Sequence, residues 1–216
     1  MLLLPFLGLK VKLQAAMWQW QVKKNYYNNE AFKKSDRMLL KAYLFKNPYQ
    51  ISKLFMKGRG EEDVHVYGET PLKVYDQMAI RWNIREGHRF VELGCGRGRG
   101  LYFLSSLYGC ECIGIEWIKE FVEIAKRTLP SLKIYREDFM TSQKIHGDFI
   151  YLYGTCLEED KIFSLCERFL KLPKGSKVIT TSFALSEYHE KFKILDRFEA
   201  VFPWGRGDVF LNQIGE

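Results

Sequence analysis

The pattern of apolar and polar positions changes near residue 89. From there on, short apolar runs typical of buried strands alternate with longer stretches whose apolar residues recur every three or four positions, as in amphipathic helices. Strands separated by helices predict a parallel sheet with right-handed crossovers. The predicted strands are 89–93, 112–116, 133–137, 148–153 and 177–183, and the predicted helices are 100–108, 118–129, 158–172 and 186–195.

Two last apolar stretches, 198–202 and 208–214, flank the turn-forming run Pro203–Gly207. This arrangement predicts an antiparallel hairpin. The expected fold is therefore α/β and Rossmann-like, with a seven-stranded, mostly parallel sheet that ends in the hairpin.

Upstream, residues 1–60 are predicted to form a mostly helical extension before a domain at 61–216. Asn47-Pro48 ends one helix, and Pro48 starts the next. Thr70-Pro71 has the composition of a helix start, with Thr70 as the N-cap. Residues 7–13 instead alternate with the period of a strand.

The basic charge of the chain lies entirely in its N-terminal part. Residues 1–88 contain 15 Lys and Arg and 8 Asp and Glu, which accounts for the whole net charge of +7. A basic arm suits an acidic partner such as RNA or a membrane surface, although a solvated helical face has the same composition. Residues 1–20 are a candidate for peripheral membrane contact, and their apolar start is shorter than the roughly 20 residues of a membrane span.

Five cysteines without paired metal-ligand spacing and four scattered histidines give no indication of a metal site or a disulfide framework. This usage is typical of a reducing compartment and predicts a cytoplasmic protein without a bound metal.

The most informative motif is the run Glu92-Leu93-Gly94-Cys95-Gly96-Arg97-Gly98, which follows the first predicted strand. A P-loop has four residues between its glycines and then Gly-Lys-Ser/Thr, and a dinucleotide fingerprint has G-x-G-x-x-G, but position 99 is arginine. The spacing of Gly94, Gly96 and Gly98 therefore favours S-adenosylmethionine (SAM), which has no pyrophosphate to hold.

Acidic and aromatic residues follow the next two strands. Glu116 ends the second strand, where a carboxylate can accept both ribose hydroxyls, and Trp117 can lie against adenine. After the third strand, Asp138 can accept the adenine amino hydrogen and Phe139 can pack beside the ring. Glu116 as a helix cap, and Trp117 and Phe139 as core residues, are the alternatives.

Over residues 67–214 the chain resembles class I SAM-dependent methyltransferases. The resemblance rests on the runs Val91–Gly98, Gly114–Glu116 and Glu137–Phe139. It implies that SAM is the cofactor and that the chain is a methyltransferase.

A narrower resemblance lies in Val66-Tyr67-Gly68-Glu69-Thr70-Pro71, which is similar to a segment of the non-SET protein-lysine methyltransferases. That group includes non-SET histone-lysine enzymes and a family that modifies an ATP synthase subunit. The likeness implies that Tyr67, Glu69 and Thr70 contact the amino and carboxylate groups of SAM. It also implies a protein lysine as the methyl acceptor, whereas the motifs beyond the fourth strand depart from those families.

The acceptor is expected past strands four and five. Candidate residues for its channel are Tyr153, Thr155, Phe183, Glu187 and Tyr188, with packing as the alternative for Phe183 and Tyr188. An aromatic channel with an acid suits a lysine side chain. The predicted function is direct in-line methyl transfer to a protein; the alternatives are RNA methylation that uses the basic arm, and a SAM-fold protein that binds without catalysis.

Overall fold

A seven-stranded sheet forms the centre of the computed structural model, which describes residues 4–64, 66–129 and 131–215, with side chains from residue 13 onward. The strands are β1 Arg89–Leu93, β2 Glu111–Glu116, β3 Lys133–Arg136, β4 Phe149–Leu152, β5 Lys177–Thr181, β6 Phe192–Phe202 and β7 Gly205–Ile214. The helices are α1 Leu4–Tyr26, α2 Glu30–Ala42, α3 Pro48–Gly58, α4 Leu72–Arg81, α5 Arg99–Tyr108, α6 Lys119–Thr128 and α7 Glu159–Phe169.

The strand order in the sheet is β3-β2-β1-β4-β5-β7-β6. The first five strands pair in parallel, and β7 runs antiparallel to both β5 and β6. The predicted fold class, including the terminal hairpin, is confirmed. This topology places the carboxyl ends of β1, β2 and β4 next to one another at one edge of the sheet, where open α/β sheets bind ligands.

The helix predicted at 186–195 is wrong. The structure has a single 3-10 turn at Leu185–Glu187, and β6 begins at Phe192. A bulge between Ile194 and Asp196 interrupts the pairing with β7 and leaves Ile194 and Leu195 both exposed. Because a bulge breaks the two-residue alternation of a strand, the local sequence loses the pattern that identifies one.

The strand period at residues 7–13 is also misleading, because these residues lie within the long helix α1. A helix satisfies its backbone hydrogen bonds internally, whereas a strand needs a neighbouring strand. Side chains are described in only part of the segment at residues 1–20 that is a candidate for membrane contact. Within the described residues, none of the helices has the length and apolar character needed to cross a bilayer.

Thr70 does not cap α4. Pro71 occupies the N-cap position without a side-chain cap bond, and the Thr70 hydroxyl lies 2.6 Å from the Tyr151 hydroxyl. The hydroxyl of Thr70 therefore faces the sheet, because a buried tyrosine of β4 provides it with a partner there.

The N-terminal helices pack onto α5 and α6 and share one apolar core with the sheet. Asn29 caps α2 by accepting from Phe32 N, and its amide donates to Ser106 O at 2.9 Å. The Asp36 carboxylate, fully buried on α2, pairs with Arg99 of α5 at 2.6 Å and accepts from Tyr27. These contacts place the extension directly against the helix that follows the glycine loop.

We expect Asp36→Ala to lower the free energy of unfolding by about 3 kcal/mol, because it leaves the Arg99 guanidinium and the Tyr27 hydroxyl without their buried partner. Denaturant titration of the full chain measures the change. Lys119→Ala is the matched control. It breaks the exposed Lys119–Glu123 pair, so its expected effect is within about 0.5 kcal/mol. Equal losses in the two variants would contradict the role of the Asp36–Arg99 pair.

Candidate cofactor site

The glycine loop between β1 and α5 turns in a conformation that side chains rarely adopt. Gly94, Gly96 and Gly98 have φ values of 75°, 53° and 70°. The amides of Gly94 and Cys95 both donate to Ile115 O, which fixes the loop to β2. A Cβ at Gly96 would lie 3.2 Å from the Tyr67 ring, so this glycine lets the segment before α4 approach the loop closely.

Glu116 holds the loop from the neighbouring strand. One oxygen of this buried carboxylate accepts from Gly96 N, and the other accepts from Ile118 N, each at 2.7 Å. Burial raises the pKa of the Glu116 carboxyl, although the backbone N–H donors oppose that rise. A carboxylate oxygen accepts more than one hydrogen bond, so these contacts leave room for the predicted ribose contact.

Glu92, at the end of β1, is the most unusual group of the site. One oxygen accepts a hydrogen bond from the Tyr75 hydroxyl at 2.5 Å, and the other is buried with no hydrogen-bond partner among the described residues. Burial raises the pKa of the Glu92 carboxyl to about 8, which the Tyr75 hydroxyl opposes and the nearby carboxylates of Glu116 and Glu69 reinforce. A buried acid with an unused oxygen is ready to accept a cationic donor.

The unused oxygen belongs to a residue that lines a cavity of about 990 Å³. The glycine loop, the segment before α4, part of α1 and the tip of the hairpin surround this space. Its size is at the upper end of the range for small-molecule pockets, so it has room for a ligand beyond the loop.

The segment Tyr67–Thr70 closes over the loop through an ion pair. Arg97 contacts both oxygens of Glu69, with Nε 2.6 Å from Oε1, and the Tyr67 hydroxyl donates to the same carboxylate. Burial opposes ionisation of Glu69, but the Arg97 guanidinium outweighs it and holds the pKa of Glu69 below its ordinary value. Glu69 therefore faces an arginine of this chain, and its expected contact with a cofactor ammonium stays a prediction.

Trp117 and Phe139, the two rings expected beside adenine, already have partners within the chain. Arg59 lies over the face of the Trp117 indole at 3.8 Å, and Phe55 contacts its edge. Phe139 packs against the core and reaches the space beside Gly94. Asp138 accepts from Met140 N at 2.8 Å. The adenine contacts expected of these residues stay predictions, and a ring against Trp117 would have to share or replace the Arg59 contact.

Of the five acceptor-channel candidates, Tyr153 lines the cavity. Phe183 and Tyr188 pack together in the second core cluster, as the packing alternative expects. Glu187 is exposed on the 3-10 turn, and the Thr155 hydroxyl lies beside the thiol of Cys156.

Four residues of this region were not predicted from the sequence as site residues: Tyr75, Arg97, Phe202 and Trp204. Trp204 donates to the Tyr153 hydroxyl at 2.6 Å and stacks on Phe202, with ring centroids 5.1 Å apart. Tyr75 and Arg97 bind the two acids described above. Arg97 had a signal, because it stands within the glycine motif, whereas Trp204 was assigned only to a turn.

The residues present fit the methionine end of SAM. Its ammonium needs a buried acceptor, and Glu92 has one unused carboxylate oxygen at the cavity. Its amino-acid end needs a close approach to the chain, and Gly94 and Gly96, which line the cavity with positive φ, provide it, whereas Gly98 packs against Ile134 and Leu132 of the core. Glu92, Gly94 and Gly96 are therefore the residues that would hold this part of the cofactor.

We expect SAM binding at pH 7 to release about one proton. The carboxyl of Glu92 has a pKa of about 8 and is mostly protonated before an ammonium arrives, which then favours its charged form. Calorimetry in two buffers of different ionisation enthalpy counts the protons. By linkage, affinity rises from pH 6 to 7.5.

Glu92→Gln removes the titrating group, so this variant is expected to bind SAM more weakly and to release no proton. A wild-type affinity that stays constant over the same pH range, without proton release, would contradict the assignment to Glu92.

Comparison with solved structures supports the fold. An RNA methyltransferase from Salinibacter ruber, in complex with S-adenosyl-L-homocysteine, superposes with a TM-score of 0.57 at 20% identity, covering 68% of this chain and 94% of that one. TrmN from Thermus thermophilus gives a TM-score of 0.58 at 16% identity, covering 69% of this chain and 50% of that one.

Among curated proteins, a histone-lysine N-methyltransferase of Dictyostelium discoideum, H3 lysine-79 specific, is 28% identical over 216 aligned positions. The alignment covers 90% of this chain but 11% of the relative, so the chain spans about a tenth of that protein's length.

The family model of the histone methylation protein DOT1 matches residues 61–169, half of the chain. Residues 61–169 include the closing segment Tyr67–Thr70, the glycine loop, and the two acids Glu92 and Glu116. The chain has the fold of class I methyltransferases and belongs to the DOT1 family.

Proposed function

We propose that this protein transfers a methyl group from SAM to the side-chain amine of a protein lysine, with histone H3 as the first substrate to test. The observation that carries the proposal is the unpartnered oxygen of Glu92, a residue that lines a cavity together with the glycine loop and Tyr67–Thr70, all within the DOT1-matched segment. The Dictyostelium relative, named as specific for a histone lysine, supports the choice of acceptor.

The acceptor side of the cavity is aromatic. Tyr153 lies at its wall, the exposed Trp204 indole is hydrogen-bonded to the Tyr153 hydroxyl, and Phe202 stacks beneath that indole. Aromatic faces attract a lysine ammonium and pack along its methylene chain. Tyr153 and Trp204 form the surface that would guide the amine toward the site, and the buried Phe202 supports the indole from below.

The chain's contribution to the reaction is positioning. SAM supplies a methyl group on a sulfonium, which is reactive enough that orientation and exclusion of water provide most of the catalysis. Burial raises the pKa of Tyr153, so its phenol stays protonated at neutral pH and is a poor base. The lysine therefore reaches the aromatic rings as an ammonium, and its proton leaves to solvent before the neutral amine attacks the methyl group.

The direct test incubates the full chain with methyl-labelled SAM and one possible acceptor at a time: histone octamers, nucleosomes or total RNA. We expect label on protein lysine, located by mass spectrometry. Gly96→Arg is the matched inactive variant, because its side chain would enter the space beside Tyr67 on a backbone with positive φ. Label in RNA alone would overturn the proposal and favour the RNA alternative.

The basic N-terminal helices offer a surface for the acidic parts of a substrate. Leu13, Met17 and Trp20 are exposed on α1 at helical spacing, and Lys24 lies over the Trp20 ring. If the affinity for nucleosomes or RNA falls steeply as the salt concentration rises, the Lys and Arg side chains of the N-terminal helices contact phosphate. Co-sedimentation with anionic vesicles tests the membrane alternative on the same chain.

We expect Trp204→Ala to raise the KM for the protein acceptor about tenfold while the Kd for SAM stays within about twofold, since the indole serves the acceptor and the cofactor contacts lie elsewhere. Steady-state kinetics and calorimetry separate the two quantities. Phe163→Ala removes a half-exposed ring of α7 and is the control. A parallel loss of SAM affinity in Trp204→Ala would contradict this assignment.

A further inference from the structure

We propose that Arg97 binds the α-carboxylate of SAM and makes the site selective for cofactors that carry this group. The inference deepens the proposed function and rests on it. It concerns a side chain of the glycine motif, whereas the cofactor contacts described above involve the glycines of that motif.

The first observation is where the guanidinium lies. Arg97 lines the cavity together with Glu92, and its side chain is 10% exposed. It stands between Gly96 and Gly98, on the glycine loop that lines the cavity. An almost fully buried guanidinium at a ligand cavity is costly unless charged partners surround it.

The second observation is its unused capacity. A guanidinium has five N–H donors, and Arg97 directs its Nε and one Nη2 donor at Glu69. Tyr43 packs against the guanidinium, with the ring centroid 5.0 Å from Cζ. Glu69 and Tyr43 therefore fix the orientation of the group and leave donors for a further anion.

The third observation is that the same cavity also offers a hydrogen-bond acceptor. The methionine end of SAM carries an ammonium and a carboxylate on one carbon, so a complementary site needs an acceptor and a cationic donor within one ligand's reach. Glu92 offers the acceptor oxygen without a partner. A cation at the same cavity completes the pair.

Other cations at the cavity suit this role less well. Arg99 is bound to the buried Asp36 and to Gln19, Lys24 lies over the Trp20 ring, and Lys73 is exposed on α4. Among the described residues lining the cavity, Arg97 is the cation that stands on the glycine loop. Glu69 then acts as a positioning residue, which aims the guanidinium.

The test compares two ligands that differ by one group. Decarboxylated SAM keeps the sulfonium, the adenosine and the ammonium but lacks the carboxylate. Calorimetry on the full chain measures the Kd of SAM and of decarboxylated SAM for wild type, Arg97→Gln and Arg97→Lys. Wild type is expected to prefer SAM by about tenfold or more, since hydrogen bonds between charged groups contribute at least that much.

In Arg97→Gln the preference for SAM over decarboxylated SAM is expected to fall to about twofold or less, and Arg97→Lys is expected to keep part of it. Glu92→Gln is the matched control: it acts on the ammonium that both ligands share, so it weakens both and leaves the ratio unchanged.

A uniform loss for both ligands in Arg97→Gln would mean that Arg97 only holds Glu69 in place, and would overturn the inference. Thermal unfolding of each variant identifies a general folding defect, and Arg97→Lys keeps the charge if Arg97→Gln fails to fold. Failure of wild type to bind SAM would instead sink the proposed function itself, whereas SAM binding without a preference over decarboxylated SAM sinks only the inference about Arg97.

Discussion

The geometry of the site depends on one carboxylate that bonds to two backbone amides. Glu116 accepts from Gly96 N in the glycine loop and from Ile118 N at the entrance to α6. Both donors come from chain segments that lack regular partners, and a charged acceptor binds such donors strongly. Because the loop is fixed in this way, Arg97 and the amides of the loop take defined positions at the cavity that Glu92 also lines, and the segment Tyr67–Thr70 packs against a fixed loop.

The three acids of the site differ in their hydrogen-bond and charge partners. Glu116 is surrounded by N–H donors, Glu69 is paired with a guanidinium, and Glu92 has a phenol on one oxygen and nothing on the other. The same side chain therefore serves as a structural brace, a positioning group and a ligand acceptor. A cationic cofactor group is favoured beside Glu92, because its positive charge offsets the free-energy cost of burying an ionised carboxylate without a charged partner.

The sequence was sufficient for the elements whose patterns are local. Strands β1, β2, β4 and β5 have apolar runs that are buried on both faces, and the glycine motif follows β1 directly, so the sheet and the loop could be placed with small errors at their ends. The bulge at Ile194–Asp196 could not be placed, because it depends on pairing with β7 and on the contact of Asp196 with Arg81 and Trp82. The partners of Trp204, Tyr75 and Thr70 depend on which strands are neighbours, and no local pattern encodes that information.

The buried pair between Asp36 and Arg99 has a consequence for how the family is delimited. Arg99 lies inside the segment 61–169 that matches DOT1, whereas Asp36 lies outside it, on a helix that shares the core of the sheet. The segment that carries the family's signature is thus smaller than the unit that shares one apolar core. Without the preceding helices, a matched fragment would expose Phe103 and Tyr102 and leave a cation of α5 unneutralised beside the cofactor loop. In this chain, the segment matched by the family model is shorter than the packed core on which that segment depends.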